Sequence, residues 1–149
     1  MKHLLLCLLL MSAAWAGPTY ELVGATATPT ATAEVWRAEV EGKLVVVLKI
    51  KEAGKEGEVN FAIEPAQLPA FEKHCETLLQ ERTSLKSGAV QVVSTMKSGA
   101  NWIDFARVRV GNSSPWRVLV VHEGKQERSF VLDKTSWSSL KKLTRKASP

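Results

Sequence analysis

The chain repeats itself. Val59-Asn60-Phe61-Ala62-Ile63-Glu64 leads into a helical segment holding Leu68 and Phe71, and Ser129-Phe130-Val131-Leu132-Asp133 leads into one holding Trp137 and Leu140. Phe61 and Phe130, Ile63 and Leu132, Glu64 and Asp133, Leu68 and Trp137, and Phe71 and Leu140 all stand 69 residues apart. Upstream the spacing becomes 70: Gly54-Lys55-Glu56 against Gly124-Lys125-Gln126, Trp36-Arg37-Ala38-Glu39-Val40 against Ala106-Arg107-Val108-Arg109-Val110, and Tyr20-Glu21-Leu22-Val23 against Val90-Gln91-Val92-Val93. One single-residue gap therefore aligns most of the two halves, with apolar positions on apolar positions. Any one match of strand patterns carries little weight. Four in order at nearly one spacing point to a duplication, and a duplicated unit folds twice into the same piece of structure.

Each half reads as four strands and a helix. The first half gives strands near Tyr20–Ala25, Glu34–Val40, Lys43–Lys51 and Glu58–Ile63. The second gives Ala89–Met96, Trp102–Val110, Trp116–His122 and Arg128–Leu132. β-Branched and aromatic residues dominate these runs, and most alternate. Glu41-Gly42, Gly54 to Gly57, Ser98-Gly99, Gly111 to Pro115 and Glu123-Gly124-Lys125 supply turns, and links this short make sequential strands antiparallel neighbours. Gly24 to Ala33, rich in Thr, Ala and Pro, reads as a long loop or linker. The first helix begins at Pro69, carries Phe71, Cys75, Leu78 and Leu79 on one stripe, and stops at Ser87-Gly88. The second follows the N-cap acceptor Asp133 and turns Trp137, Leu140 and Leu143 inward, with Lys141, Lys142, Arg145 and Lys146 toward its negative end. The expected fold class is α+β: two tandem ββββα repeats, about 20–87 and 88–146, forming a pseudo-twofold pair of antiparallel sheets with two helices.

Period-two alternation assigns faces. Trp36, Ala38 and Val40, with Leu44, Val46, Leu48, Ile50, Phe61 and Ile63, are expected on the helix-covered face. So are their mates Ala106, Val108, Val110, Trp116, Val118, Val120, Phe130 and Leu132. The opposite face then carries Arg37, Lys49, Lys51, Arg107, Arg109 and Arg117, mixed with Val45, Val47, Val93, Ile103, Phe105, Leu119, Val121 and Val131. A solvated antiparallel face is mostly polar. An apolar face mixed with cations implies contact with the other sheet, a second copy or a ligand.

The N-terminus has a different logic. Lys2 and His3 precede the apolar run Leu4 to Met11, and Ala14 and Ala16 stand where a signal peptidase reads. This is the pattern of a secretory signal cleaved after Ala16, and the run is too short for the roughly 20 apolar residues of a membrane span. Cys7 lies inside that run behind Leu6, where a lipoprotein signal would place a small residue. Residues 17–149 form one expected domain with secreted or periplasmic localisation. Losing Lys2 lowers the formal charge from +5 to +4. Cys75 then has no internal disulfide partner, and its place on a helix stripe marks it as a buried filler.

Signatures of enzyme chemistry are poor. His74 and His122 lack metal-ligand spacing. His74 and Cys75 are adjacent on a helix, so they point about 100° apart and form no nucleophile–base pair. Gly54-Lys55-Glu56-Gly57 is too short to cradle phosphate, and Glu39 and Asp104 have no motif around them. Asn112-Ser113-Ser114 matches a glycosylation acceptor, relevant only in a eukaryotic secretory route. No cofactor or metal is expected. The sequence reading is a non-enzymatic binding or assembly module, with an envelope protein or a second copy as partner.

Phe130-Val131-Leu132-Asp133-Lys134-Thr135-Ser136-Trp137-Ser138-Ser139-Leu140-Lys141 resembles the last-strand-to-helix junction of single-unit transcriptional coactivators. The twice-repeated ββββα order looks like the related Whirly and PUR-repeat group of single-stranded nucleic-acid binders. That resemblance implies base stacking on a sheet face and phosphate contacts from Arg37, Lys49, Lys51, Arg107, Arg109 and Arg117. It makes single-stranded nucleic acid or another polyanion the alternative partner.

Overall fold

Strands β1 (Thr19–Ala27), β2 (Ala31–Val40), β3 (Lys43–Glu52) and β4 (Glu58–Ile63) pair in sequence order as one antiparallel sheet. Strands β5 (Val90–Ser98), β6 (Asn101–Val108), β7 (Trp116–Glu123) and β8 (Gln126–Val131) make a second. Helix α1 (Leu68–Gln80), entered through a 3-10 turn at Pro65–Gln67, follows β4, and helix α2 (Lys134–Ala147) follows β8. This computed structural model describes residues 17–149, so the expected signal segment Met1–Ala16, with Cys7, lies outside the described residues. The expected α+β architecture of two ββββα units is what the chain adopts.

The repeat extends to irregularities. A bulge breaks the β1–β2 register between Leu22 and Gly24, and another breaks β5–β6 between Val92 and Ser94. The extra residues, Val23 and Val93, are the matched pair of the sequence alignment, and both pack on the core. A bulge increases local twist, so the two sheets coil alike. The helices agree as well. Leu68, Phe71, Cys75 and Leu78 are the buried stripe of α1, and Trp137, Leu140, Thr144 and Ala147 hold the corresponding positions of α2.

The two units are interlocked. Helix α1 packs on β5 and β6 of the second sheet, and α2 packs on β1 and β2 of the first. The Phe71 ring lies 6.1 Å from Phe105 and 6.2 Å from Trp137, edge-on to the latter. One apolar cluster joins the inner faces of both sheets to both helices. The last strands add a reciprocal clamp. Glu52, at the end of β3, accepts the Ser129 N–H at 3.0 Å, and its mate Glu123, at the end of β7, accepts the Asn60 N–H at 2.7 Å. Each carboxylate satisfies an outward backbone donor on the other unit's edge strand, which otherwise is open to strangers.

Three expectations need correction. Gly24 to Ala33 is not a long loop: β1 and β2 run on until only Thr28 to Thr30 remain as the turn, because cross-strand pairing and the buried Ala31 and Ala33 hold this Thr/Ala stretch extended. Helix α1 ends at Gln80, not at Ser87-Gly88, with Glu81 extended as its C-cap. The third concerns faces. The inner face of β2 is Ala31, Ala33 and Val35, and that of β6 and β7 is Ile103, Phe105, Leu119 and Val121. Trp36, Ala38, Val40, Ala106, Val108, Trp116, Val118 and Val120 lie on the other face, and Val110 is exposed beyond the end of β6; Val131 lies on the outer face, as expected. Apolar residues occupy both faces of these strands, so alternation alone does not choose between them. Packing under α2 does. A Cβ added at Gly24 would stand 2.5 Å from Leu143 Cδ2, and a surface pressed this close takes Gly and Ala, not Trp36.

Interlocking makes the two units one cooperative body. Phe71→Ala and Leu140→Ala are each expected to lower stability by about 2–5 kcal/mol. Urea unfolding followed by far-UV circular dichroism and by tryptophan fluorescence is expected to give coincident single transitions for the parent and both variants. Two separated transitions would show instead that the units fold independently.

Candidate functional site

The six basic residues singled out in the sequence do not share a face. Arg37 lies on the inner side of β2, opposite Val46. Its Nε donates to Ala147 O at 3.0 Å and its Nη2 to Lys146 O at 2.7 Å, at the C-terminus of α2. Arg117, on the inner side of β7, does the same for α1: Nε donates to Leu78 O at 3.0 Å and Nη2 to Glu81 O at 2.9 Å. The terminal carbonyls of a helix lack intrahelical donors and carry partial negative charge, so a guanidinium there serves both needs. Arg107, 3% exposed, bonds Gln91 Oε1 at 3.1 Å. Arg109 bonds Leu85 O at 2.6 Å. The four arginines therefore leave the outer face on which the sequence reading put them. Alternation puts Arg37 with the inward Val35, and helix termini draw in Arg37 and Arg117, while Arg107 and Arg109 bond a strand side chain and a loop carbonyl.

Lys49 and Lys51 do face outward on the first sheet, where both are paired. Lys49 Nζ lies 3.1 Å from Glu58 Oε1 and 4.7 Å above the Trp36 ring. Lys51 Nζ lies 2.8 Å from Glu34 Oε1 and 3.7 Å from Glu58 Oε2. The second sheet repeats this arrangement at matched positions. His122 Nε2 is 3.0 Å from Asp104 Oδ2 and its Nδ1 is 3.4 Å from Glu127 Oε2. Trp102 stacks on the His122 ring at 4.4 Å. Each sheet thus has a nitrogen base set between two carboxylates, Lys51 on the first and His122 on the second; the indoles nearby, Trp36 under Lys49 and Trp102 against His122, stand at unmatched positions.

Around these polar centres the outer faces are apolar. Tyr20, Leu22 and Val40 are exposed on the first sheet, and their mates Val90, Val92 and Val110 are exposed on the second side. A groove of about 470 Å³ runs along the first face past Tyr20, Trp36, Val45, Val47, Lys49 and Ala62, and closes against Asn101 of the second unit. Asn101 Nδ2 donates to Asn60 O at 3.4 Å there. A larger cavity, of about 600 Å³, opens at the seam between the units beside Trp116.

Buried titratable groups take structural roles. Burial, with help from Glu76 and Glu72, pushes the Cys75 thiol well above its ordinary value, which leaves an unreactive filler at the position where α2 has Thr144. His74 stacks on Phe105 at 4.8 Å and bonds Ser94 Oγ through Nδ1 at 2.8 Å. Burial, then the Lys73 charge, lowers its pKa. Among the described residues no group of His, Cys, Asp and Glu is arranged to hold a metal ion, and no helix is long and apolar enough to cross a membrane. No protein-family model, curated protein or solved structure matches the chain.

Two outcomes follow for the charged groups. Arg117→Met, which strips two carbonyls of a charged donor, is expected to cost about 1–3 kcal/mol, whereas Lys49→Met, at an open surface pair, is expected to change stability by less than about 1 kcal/mol; urea denaturation measures both. Acid is expected to destabilise the fold. The Lys51 hydrogen bond holds Glu34 below the ordinary glutamate value of 4.5, and the Arg145 hydrogen bond does so for Glu72. At Glu52 burial acts upward, but the Ser129 N–H and Lys55 outweigh it and the net shift is down. Groups with depressed folded values stabilise above the unfolded value and lose that stabilisation as pH falls through the folded one. Melting temperature is therefore expected to drop as pH falls below 4.5, less steeply in a Glu34→Gln, Glu72→Gln double variant.

Proposed function

We propose that the chain is an exported, non-enzymatic binding or assembly module that works through the outer faces of its sheets. The observation that carries this reading is the set of matched exposed apolar residues: Tyr20 with Val90, Leu22 with Val92, and Val40 with Val110. Exposed apolar side chains scattered singly need no explanation. Three pairs at equivalent places on two sheets form a pattern. Four of the six residues belong to β1 and β5, the edge strands that the interlocked units leave open, while β4 and β8 are engaged with the other unit. An open edge beside exposed apolar side chains is a template for pairing with another chain. The signal-like residues Met1 to Ala16 support export.

A second reading is single-stranded nucleic acid or another polyanion, the function implied by the Whirly and PUR-repeat resemblance. One feature favours it: the groove holding Tyr20 and Trp36, with Lys49 over the indole and Asn60 and Asn101 at its end, offers rings for base stacking and polar groups beside them. Against it, Arg37, Arg109 and Arg117 already bond backbone carbonyls, and Lys49 and Lys51 are paired with carboxylates.

Sedimentation velocity of the chain from Gly17 onward, over a concentration series at two salt levels, separates the readings. The assembly reading expects concentration-dependent association that resists salt and is lost in Leu22→Lys and Val92→Lys. A monomer at every concentration that binds oligothymidylate tightly at low salt and weakly at high salt would replace it with the polyanion reading.

A further inference from the structure

The seam between the units contains a pocket that neither reading uses. Its floor is the start of β7 and the end of β8, with Trp116 and Val131. Leu79 of α1 and the β1–β2 turn, Thr28 to Thr30, form the walls, and the first residues of α2 close it. At about 600 Å³ it falls within the roughly 300–1,000 Å³ of small-molecule sites. Trp116 is 51% exposed, and no hydrogen-bond acceptor is assigned to its indole among the described residues. Its mate in the first unit is Val45 and the mate of Val131 is Ala62, so the second unit has put larger apolar side chains where the first has smaller ones.

The pocket holds two cations, Arg117 and Lys134, and one carboxylate, Asp133. Asp133 has its carboxylate turned into α2, where Oδ1 accepts the Ser136 N–H at 2.7 Å. Arg117 uses Nε and Nη2 on carbonyls at the end of α1, which leaves Nη1 without an acceptor among the described residues. Lys134 has no carboxylate within ion-pair distance among the described residues. The lining therefore combines an exposed indole and aliphatic walls with two cations that outnumber its one carboxylate, which is turned toward the α2 backbone.

We propose that this seam pocket binds a small amphiphilic anion: an apolar body laid on Trp116 and against Leu79 and Val131, with one acidic headgroup toward Lys134 and Arg117. Both units contribute wall, so the site exists only in the interlocked fold. The proposal is independent of the exposed edge pairs and of the nucleic-acid reading.

The test is a fluorescence titration of the full chain with 1-anilinonaphthalene-8-sulfonate, an aromatic anion whose emission rises in apolar surroundings. One saturable site is expected. Trp116→Ala and Lys134→Glu, both changes of exposed side chains, are each expected to weaken it about tenfold, which is about 1.4 kcal/mol, while Leu22→Ser leaves it unchanged. Decanoate is expected to displace the dye and decanol is not. Saturable binding that ignores both pocket variants but falls in Leu22→Ser would place the dye on the outer faces and overturn the proposal. Displacement by decanol as well as decanoate would overturn the anionic part, and absence of saturable binding would overturn the whole.

Discussion

Everything else in this molecule depends on the exchange of helices between its two units. A ββββα unit has a sheet with one apolar face and a helix with one apolar stripe, and the obvious economy would be to fold one onto the other. Here α1 covers the second sheet and α2 covers the first. Alone, either unit would leave Phe61, Ile63 and Phe71, or Phe105, Phe130 and Leu140, without their opposite surface, and a single sheet with one uncovered face is not a stable architecture. The arginines follow from the same exchange. A helix seated on the other unit's sheet ends over that sheet, so the sheet supplies the donor for its last carbonyls: Arg37 for α2, Arg117 for α1.

The two units have the same plan but have specialised toward each other. Glu72 and Glu76 of α1 bond Arg145 and Lys141 of α2, at 2.7 Å and 2.6 Å. The mates of those two glutamates are Lys141 and Arg145 themselves. In a pair of identical helices the same positions would face one another with like charge, which repels; one acidic and one basic copy turn that contact into attraction. The contact between helix and first strand has diverged as well. Leu143 presses on Gly24, whereas at the matched place His74 bonds Ser94. A Cβ at Gly24 would meet the leucine, while at the matched place the serine hydroxyl hydrogen-bonds the imidazole.

How much of this was legible in the sequence divides along a physical line. Element identity and order are local, set by alternation, turn residues and caps, and Asp133 does cap α2 through Ser136. The repeat spacing carried the twofold plan. The face of a strand is a tertiary property, decided by what packs on it, and β2, β6 and β7 have apolar residues on both sides. A large Trp36 looked like core, and the small residues that admit a helix, Gly24, Ala31 and Ala33, looked like linker. With the faces of β2, β6 and β7 inverted, the four arginines lie inward, while Lys49 and Lys51 on β3 stay outward. Arg37 and Arg117 bear no sequence mark of helix capping, because their acceptors lie 110 and 39 residues away. The matched triads of Lys51 and His122 were within reach of the alignment, had its offset been allowed to move to 71 between β3 and β7.

That last shift bears on what the outer faces do. Positions facing the core are constrained by packing whatever the function, so their agreement between units needs no explanation beyond stability. Outer positions are free of that constraint. There the units still agree on a nitrogen base between two carboxylates, Lys51 with Glu34 and Glu58 and His122 with Asp104 and Glu127, and on exposed apolar residues at the open edges. The pairs of Lys51 and His122 are partly buried and add something to stability, but Tyr20, Leu22, Val90 and Val92, about half exposed or more, add little by burial. Exposed apolar side chains that stability does not require, placed twice at equivalent points of the surface, are what supports the proposal that the open edges and outer faces meet a partner.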